Sequence, residues 1–178
     1  MTNVSIRTLA TFFTFLVIVS NHFTQADLID HNCKKTRYPD LCIETLRSNN
    51  ATVKTDVKDF CIIILEVSFG YASKTRELVK NLRYRIVDQD PQQCLDSCLY
   101  SYDFLIVDIN RGINNLRKDI PSMVGSSADM VASRPLNCQE ECDAVGVEIP
   151  FSKMNTKLHH LGVILEDLVH LVGSHKTS

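Results

Sequence analysis

The chain has no tryptophan, and its 178 residues include only six glycines and five prolines. An all-β chain of this size needs turn residues at short, regular intervals, so the scarcity argues against a sandwich or barrel and for long helices. Neither charge sign dominates, with 19 Lys and Arg against 21 Asp and Glu and a formal charge of −2. Without a basic excess there is no electrostatic footprint for nucleic acid. The sequence also lacks the His-Glu-x-x-His, Gly-x-Ser-x-Gly, Gly-x-Gly-x-x-Gly and P-loop patterns that announce zinc proteases, hydrolases, dinucleotide enzymes and NTPases. No cofactor is called for. His159 and His170 are eleven residues apart, about three helical turns, too far along an axis to share a metal ion. His159, His160 and His170 therefore read as solvated helix histidines. Glu166 and Asp167 are neighbours rather than a facing acid/base pair, with one of them turned to water.

The chain opens on a targeting pattern. Arg7 precedes an apolar run from Leu9 to Val19, and Thr24-Gln25-Ala26 supplies the small residues a signal peptidase reads. Eleven residues are too few for the roughly 20 of a spanning helix, so residues 1–26 read as a secretory signal peptide. Beyond them no stretch of about 18 residues is free of charge, and the mature chain has no membrane segment. It has 152 residues and keeps all seven cysteines, which enter an oxidising compartment where disulfides are the normal state. The sequon Asn50-Ala51-Thr52 sits in a polar stretch and makes Asn50 a glycan site.

Four amphipathic patterns follow. Val57, Phe60, Cys61, Ile64, Leu65, Ser68, Tyr71, Ala72, Leu78, Val79, Leu82 and Ile86 recur at three-and-four spacing on one long helix. After Asp88-Gln89-Asp90-Pro91 a second stripe runs through Leu95, Cys98, Leu99, Tyr102, Leu105, Ile106, Ile109, Ile113 and Leu116. Tyr102 falls on that stripe and Tyr100 off it. A third, less regular segment reaches from Pro121 to about Val145, and a fourth runs from Met154 to Val172 and ends at Gly173. Such stripes must be buried against one another, and short connections make neighbours antiparallel, so the fold class is an all-α, antiparallel, up-and-down four-helix bundle over residues 51–178. Ahead of it, residues 27–50 hold Cys33 and Cys42 on either side of Pro39. Proline breaks a single helix there, which predicts a short N-terminal helical hairpin closed by a Cys33–Cys42 disulfide.

Cys94 and Cys98 share one face of the second helix, and Cys138 and Cys142 one face of the third. Antiparallel packing pairs Cys98 with Cys138 and Cys94 with Cys142. Zinc held by the four thiols, or a Cys94–Cys98 bond, are the alternatives. Cys61 is left over on a buried stripe, as a packed free thiol.

Cys33-Lys34-Lys35-Thr36-Arg37-Tyr38-Pro39-Asp40-Leu41-Cys42 resembles the C-x-x-T-x-Y-P-x-x-C opening of the plant invertase and pectin methylesterase inhibitor family. The resemblance continues in Asp56-Val57-Lys58, in Asp96-Ser97-Cys98 through Tyr102, in Cys138-Gln139-Glu140, and in Pro150-Phe151-Ser152-Lys153-Met154-Asn155. It implies disulfides joining Cys33 to Cys42 and Cys98 to Cys138, with Cys94 and Cys142 outside the shared set. The implied protein is not an enzyme. It is a monomeric inhibitor, secreted to the apoplast and cell wall or sent to the vacuole, that blocks the active-site cleft of pectin methylesterase or acid invertase one to one. Invertase inhibitors carry Pro-Lys-Phe between the second and third helices, where this chain has Pro121, Ser122 and Met123, the candidate target contact. Proline is kept, lysine and phenylalanine are not, although Met123 to Ser127 resembles a stretch of some invertase inhibitors. The competing reading is a secreted helical carrier or scaffold of the same fold without inhibitor activity.

Overall fold

The computed structural model describes residues 28–49 and 56–174, so the leader read over residues 1–26 and the sequon at Asn50 lie outside the described residues. Among the described residues there are helices and no strand. Residues 28–33 form a short helix (α1), followed by α2 (Pro39–Ser48), α3 (Val57–Arg83), α4 (Gln89–Arg117), a 3-10 turn (Pro121–Met123), α5 (Gly125–Ala144) and α6 (Ser152–Ser174).

Helix ends follow from local chemistry. Pro39 opens α2, where a missing N–H costs nothing. The Asp56 carboxylate accepts the Asp59 N–H at 2.9 Å and caps α3. Pro91 lies in the first turn of α4, so the punctuation read there is the start of the helix itself. Helices α4 and α5 end alike. Ile120 N–H donates to Asn115 O (2.9 Å) and Asp119 N–H to Leu116 O (3.0 Å), and Val147 and Gly146 repeat the pair on Cys142 O and Asp143 O. Each end has one residue at positive φ, Asp119 at 57° and Gly146 at 70°.

The cross-links make the order antiparallel throughout. Arg76 pairs with Asp103, Arg83 with Asp96 and Arg117 with Glu66, so α4 descends as α3 rises. Disulfides joining 94 to 142 and 98 to 138 do the same for α4 and α5. Each bundle helix packs on its chain neighbours, and α6 closes back onto α3. The core holds Phe60, Ile64 and Leu65 from α3, Leu95, Tyr102, Leu105 and Ile109 from α4, Val131 from α5, and Leu158, Leu161, Ile164 and Leu165 from α6.

Three details differ from the sequence reading. Leu78 is 40% exposed, because it stands 100° around α3 from the buried Val79. Helix α3 stops at Arg83, leaving Ile86 half-buried in the following connection. The third segment is broken into the Pro121–Met123 turn and α5, with Val145 exposed at the end. Helix α5 reads weakly because it holds the buried Pro135, whose ring removes the N–H that Val131 O would accept.

Two residues from separate motifs meet in the core. The Tyr102 hydroxyl donates to Asn155 Oδ1, and Asn155 Nδ2 reaches Gln139 Oε1 at 3.4 Å, linking α4, α6 and α5. Burial pushes the Tyr102 phenol up, so it stays a neutral donor. Asn155→Leu should take away that hydroxyl's amide acceptor, leaving it the Thr75 hydroxyl, and cost about 1–3 kcal/mol. Adding Tyr102→Phe should recover part of the loss. Urea midpoints of both variants test this, and a double variant less stable than Asn155→Leu would contradict it.

Candidate functional site

Three features stand out at the surface and at the joints of the bundle, and none has the form of a catalytic centre.

The first is the N-terminal hairpin. Cys33 and Cys42 are bonded, with Cα atoms 5.5 Å apart. Inside the loop, the Thr36 hydroxyl and the Thr36 N–H both donate to Cys33 O (2.8 and 2.9 Å), which turns the chain toward Pro39. The hairpin then docks on α6. Arg37 binds Asp167 through its backbone N–H (2.8 Å) and its guanidinium, and binds Glu166 at 2.6 Å. Both carboxylates raise the Arg37 pKa further above its already high value. Tyr38 stacks on His160 with ring centroids 4.0 Å apart. His159 Nδ1 lies 2.9 Å from Ala132 O, and since a carbonyl only accepts, Nδ1 carries the proton. The readings of solvated His159 and His160 and of one idle acid in the Glu166-Asp167 pair are therefore corrected. Their partners come from α5 and from a hairpin about 130 residues away, which periodicity does not reveal. His170 is exposed.

This joint titrates. Burial, and then the neighbouring His159, lower the His160 pKa from its ordinary value of 6.5. A folded-state pKa below the unfolded one gives stability that is complete above about 6.5 and falls as pH drops toward the folded value. Melting temperature should thus decline between pH 7.5 and 5.5, before most carboxylates titrate. His160→Phe, which keeps the stack on Tyr38, should flatten that slope, and an unchanged slope would rule this histidine out.

The second feature is the clamp between α4 and α5. Cys94–Cys142 and Cys98–Cys138 form two adjacent rungs, with Cα separations of 5.1 and 4.7 Å. Sulfurs of different rungs, Cys98 Sγ and Cys142 Sγ, are 3.8 Å apart, and all four side chains are buried. Cys61 is free and fully buried on α3. Burial pushes its thiol up to about 12, which keeps it protonated and unreactive. Among the described residues no group of His, Cys, Asp and Glu is arranged to hold a metal ion, and no helix is long and apolar enough to cross a membrane.

The third is the surface of α4 and the turn that follows it. Ser122 and Met123 point outward, Met123 being 56% exposed. Pro121 instead forms part of the wall of a cleft of about 450 Å³ between the hairpin and the start of α3, with Leu28, Val57 and Val172. Lys58 Nζ donates to Asp119 at 2.7 Å and ties the turn to α3. Along α4 itself Tyr100, Phe104 and Val107 are exposed at i, i+4 and i+7, a second apolar stripe facing away from the core. Sequence reasoning placed Tyr100 at the surface and overlooked the other two, although the same spacing that marks the core marks them.

The family model described as "Plant invertase/pectin methylesterase inhibitor" matches residues 27–165. A pectinesterase inhibitor of Actinidia deliciosa is 23% identical over 145 residues, covering 82% of this chain and 75% of that one. The fold resembles the crystal structure of mutant form A of a pectin methylesterase inhibitor from Arabidopsis, with TM-score 0.68, 14% identity, and coverage of 78% of this chain and 93% of that one. A pectin methylesterase inhibitor from Arabidopsis thaliana gives TM-score 0.61 at 14% identity, covering 80% and 94%. With the motif residues in structural roles and the matched region running from the hairpin well into α6, this inhibitor-type helical bundle, which is not an enzyme, belongs to the plant invertase/pectin methylesterase inhibitor family.

Proposed function

We propose that this protein is a secreted inhibitor of pectin methylesterase, binding the enzyme one to one and closing its active-site cleft. The observation that carries the choice of target is Ser122. On the exposed turn where invertase inhibitors of the family present Pro-Lys-Phe, a hydroxyl replaces the ammonium group, so no charge-assisted contact with an acidic sugar site is made there. Met123 offers a flexible apolar contact in place of a ring. The names of the relatives point the same way. Secretion to the cell wall rests on the pattern of residues 1–26 and on three disulfides, which persist in oxidising compartments. Invertase is the second reading, favoured by the Met123 to Ser127 stretch.

The test is residual activity of one pectin methylesterase and one acid invertase, each titrated with the oxidised secreted form, residues 27–178. Stoichiometric loss of the esterase activity is expected. Loss of invertase activity alone would move the assignment to the second reading, and loss of neither would leave the carrier or scaffold alternative. Ser122→Lys with Met123→Phe should gain at least about tenfold in affinity for invertase, the effect of one charge-assisted contact and one ring. Unchanged affinity would remove the turn from the specificity argument.

A further inference from the structure

The face where α3 and α6 meet beside the hairpin collects cations that the bundle does not neutralise. Thr75 Oγ1 lies 3.7 Å from Met154 Sδ, which fixes the register of the two helices and sets Lys74 of α3 alongside Lys153 of α6. Lys157, one turn on from Lys153, holds its ammonium group 5.1 Å over the ring of the half-buried Tyr71, itself one turn before Lys74. Three lysines thus border one patch. Among the described residues the carboxylate within ion-pair distance of them is Glu44 of α2, 3.9 Å from Lys157. Lys74 and Lys153 are exposed and have no ion-pair partner among the described residues, whereas Arg76 and Arg83, on the α4 side of α3, are each matched to an aspartate.

We propose that this patch binds a polyuronate chain, the de-esterified form of the polymer on which the target works; the proposal rests on the reading of the protein as a secreted inhibitor of pectin methylesterase. Water attacks the methyl ester, methanol leaves, and the carboxylic acid that remains ionises at ordinary pH, so the enzyme turns a neutral stretch of polymer into a polyanion. A patch with three ammonium groups and one carboxylate attracts the product and is indifferent to the ester. The lysines stand in two rows, with Lys153 and Lys157 about 6 Å apart along α6 and Lys74 across the groove. Such rows suit carboxylates repeated along a chain, and point-charge ammonium groups lack the planar fork that grips a single phosphate from two sides. The whole chain carries a net charge of −2, so a polyanion is repelled on average and is held only where cations gather. Lys74 stands about 24 Å along α3 from Lys58, which ties down the Pro121–Met123 turn, so polymer and enzyme can be bound together. The inhibitor would then gather on the stretches that its target has already converted.

The experiment measures binding of the oxidised secreted form, residues 27–178, to sodium polygalacturonate and to highly methyl-esterified pectin by affinity electrophoresis, alongside melting and inhibition of pectin methylesterase on a short esterified substrate. The wild type should bind the acid polymer at least about tenfold more tightly than the ester, and should lose the preference at high salt. Lys74→Gln with Lys153→Gln should weaken that binding at least about tenfold, each close charge contact being worth roughly fivefold. Glu44→Gln, which removes the carboxylate of the patch, should tighten it several-fold. Lys34→Gln with Lys118→Gln, the same change of charge at exposed lysines outside the patch, should leave it within about twofold. Melting should shift by no more than about 2 °C in either double variant, and inhibition should be unchanged. Equal binding to the two polymers, or equal weakening in the two double variants, overturns the patch and leaves the inhibitor reading intact. Loss of inhibition in Lys74→Gln with Lys153→Gln makes this face a contact with the enzyme and also overturns the proposal. A wild type that prefers the acid polymer yet does not inhibit the esterase keeps the site and overturns the inhibitor reading.

Discussion

Gly162→Ala should lower the melting temperature by at least about 4–8 °C, the largest effect expected of alanine at any of the compared glycines. A Cβ at Gly162 would lie 2.3 Å from Ala132 N, 2.6 Å from Ala132 Cα and 2.7 Å from Val131 C. All three are backbone atoms of α5, so no rotamer change relieves the overlap. The helices must separate, and separation loosens the contacts of the buried Val131, Leu161 and Leu165 and the bond from His159 to Ala132 O. Overpacking a rigid site costs about 3 kcal/mol or more, and helix propensity returns only about 1 of it. At roughly 2–4 °C per kcal/mol for a domain of this size, the net loss of about 2 kcal/mol or more gives the stated shift. Gly70→Ala is the internal control. Nothing lies within 4 Å of its Cβ position on exposed α3 surface, so the same change should stabilise, by up to about 1 kcal/mol. If both variants melted alike, the close approach of α5 and α6 would be wrong.

The contrast between those glycines also shows how much of the molecule could be read from its sequence. Gly70 and Gly162 look alike in the chain, and only the placement of α5 tells them apart. Where one face is buried against its neighbours, periodicity was enough for most positions, Leu78 and Ile86 being the exceptions. The stripes of α3, α4 and α6 were legible because each buries one face against two neighbours, and Tyr102 and Tyr100 separated correctly for that reason. Helix α5 was blurred because Pro135 and small side chains weaken its pattern, and its contacts depend on backbone approach more than on large apolar groups. The hairpin dock was illegible. Arg37, Tyr38, His160, Glu166 and Asp167 are ordinary surface residue types until the hairpin is laid on α6, an event of long sequence separation. The second stripe on α4 was a different omission, since Tyr100, Phe104 and Val107 keep helical spacing and needed only to be counted together.

Removing both rungs of the α4–α5 clamp should cost about 6 kcal/mol, and removing either one only about 2–3. The rungs close chain segments of sequence separation 40 and 48. In the chain-entropy treatment one of them alone is worth about 4 kcal/mol. With that rung in place, the other closes only the short ring made by residues 94–98 and 138–142, which is worth about 2.5. The order of removal therefore matters: the second deletion costs more than the first, whichever is made first. Cys94→Ala with Cys142→Ala, Cys98→Ala with Cys138→Ala, and the quadruple variant, compared by urea midpoint without reductant, measure this cycle. A total near 6 kcal/mol is comparable with the whole stability of a typical domain, so the quadruple variant should be largely unfolded and should not inhibit. Each single-rung variant should remain folded and keep its potency, because the surviving rung holds α4 and α5 in register and so preserves the surface they share. Equal losses for one rung and for two would mean that strain, not chain entropy, sets the worth of the clamp. A folded single-rung variant without inhibition would show that the target reads the geometry of α4 more finely than the register of the two helices.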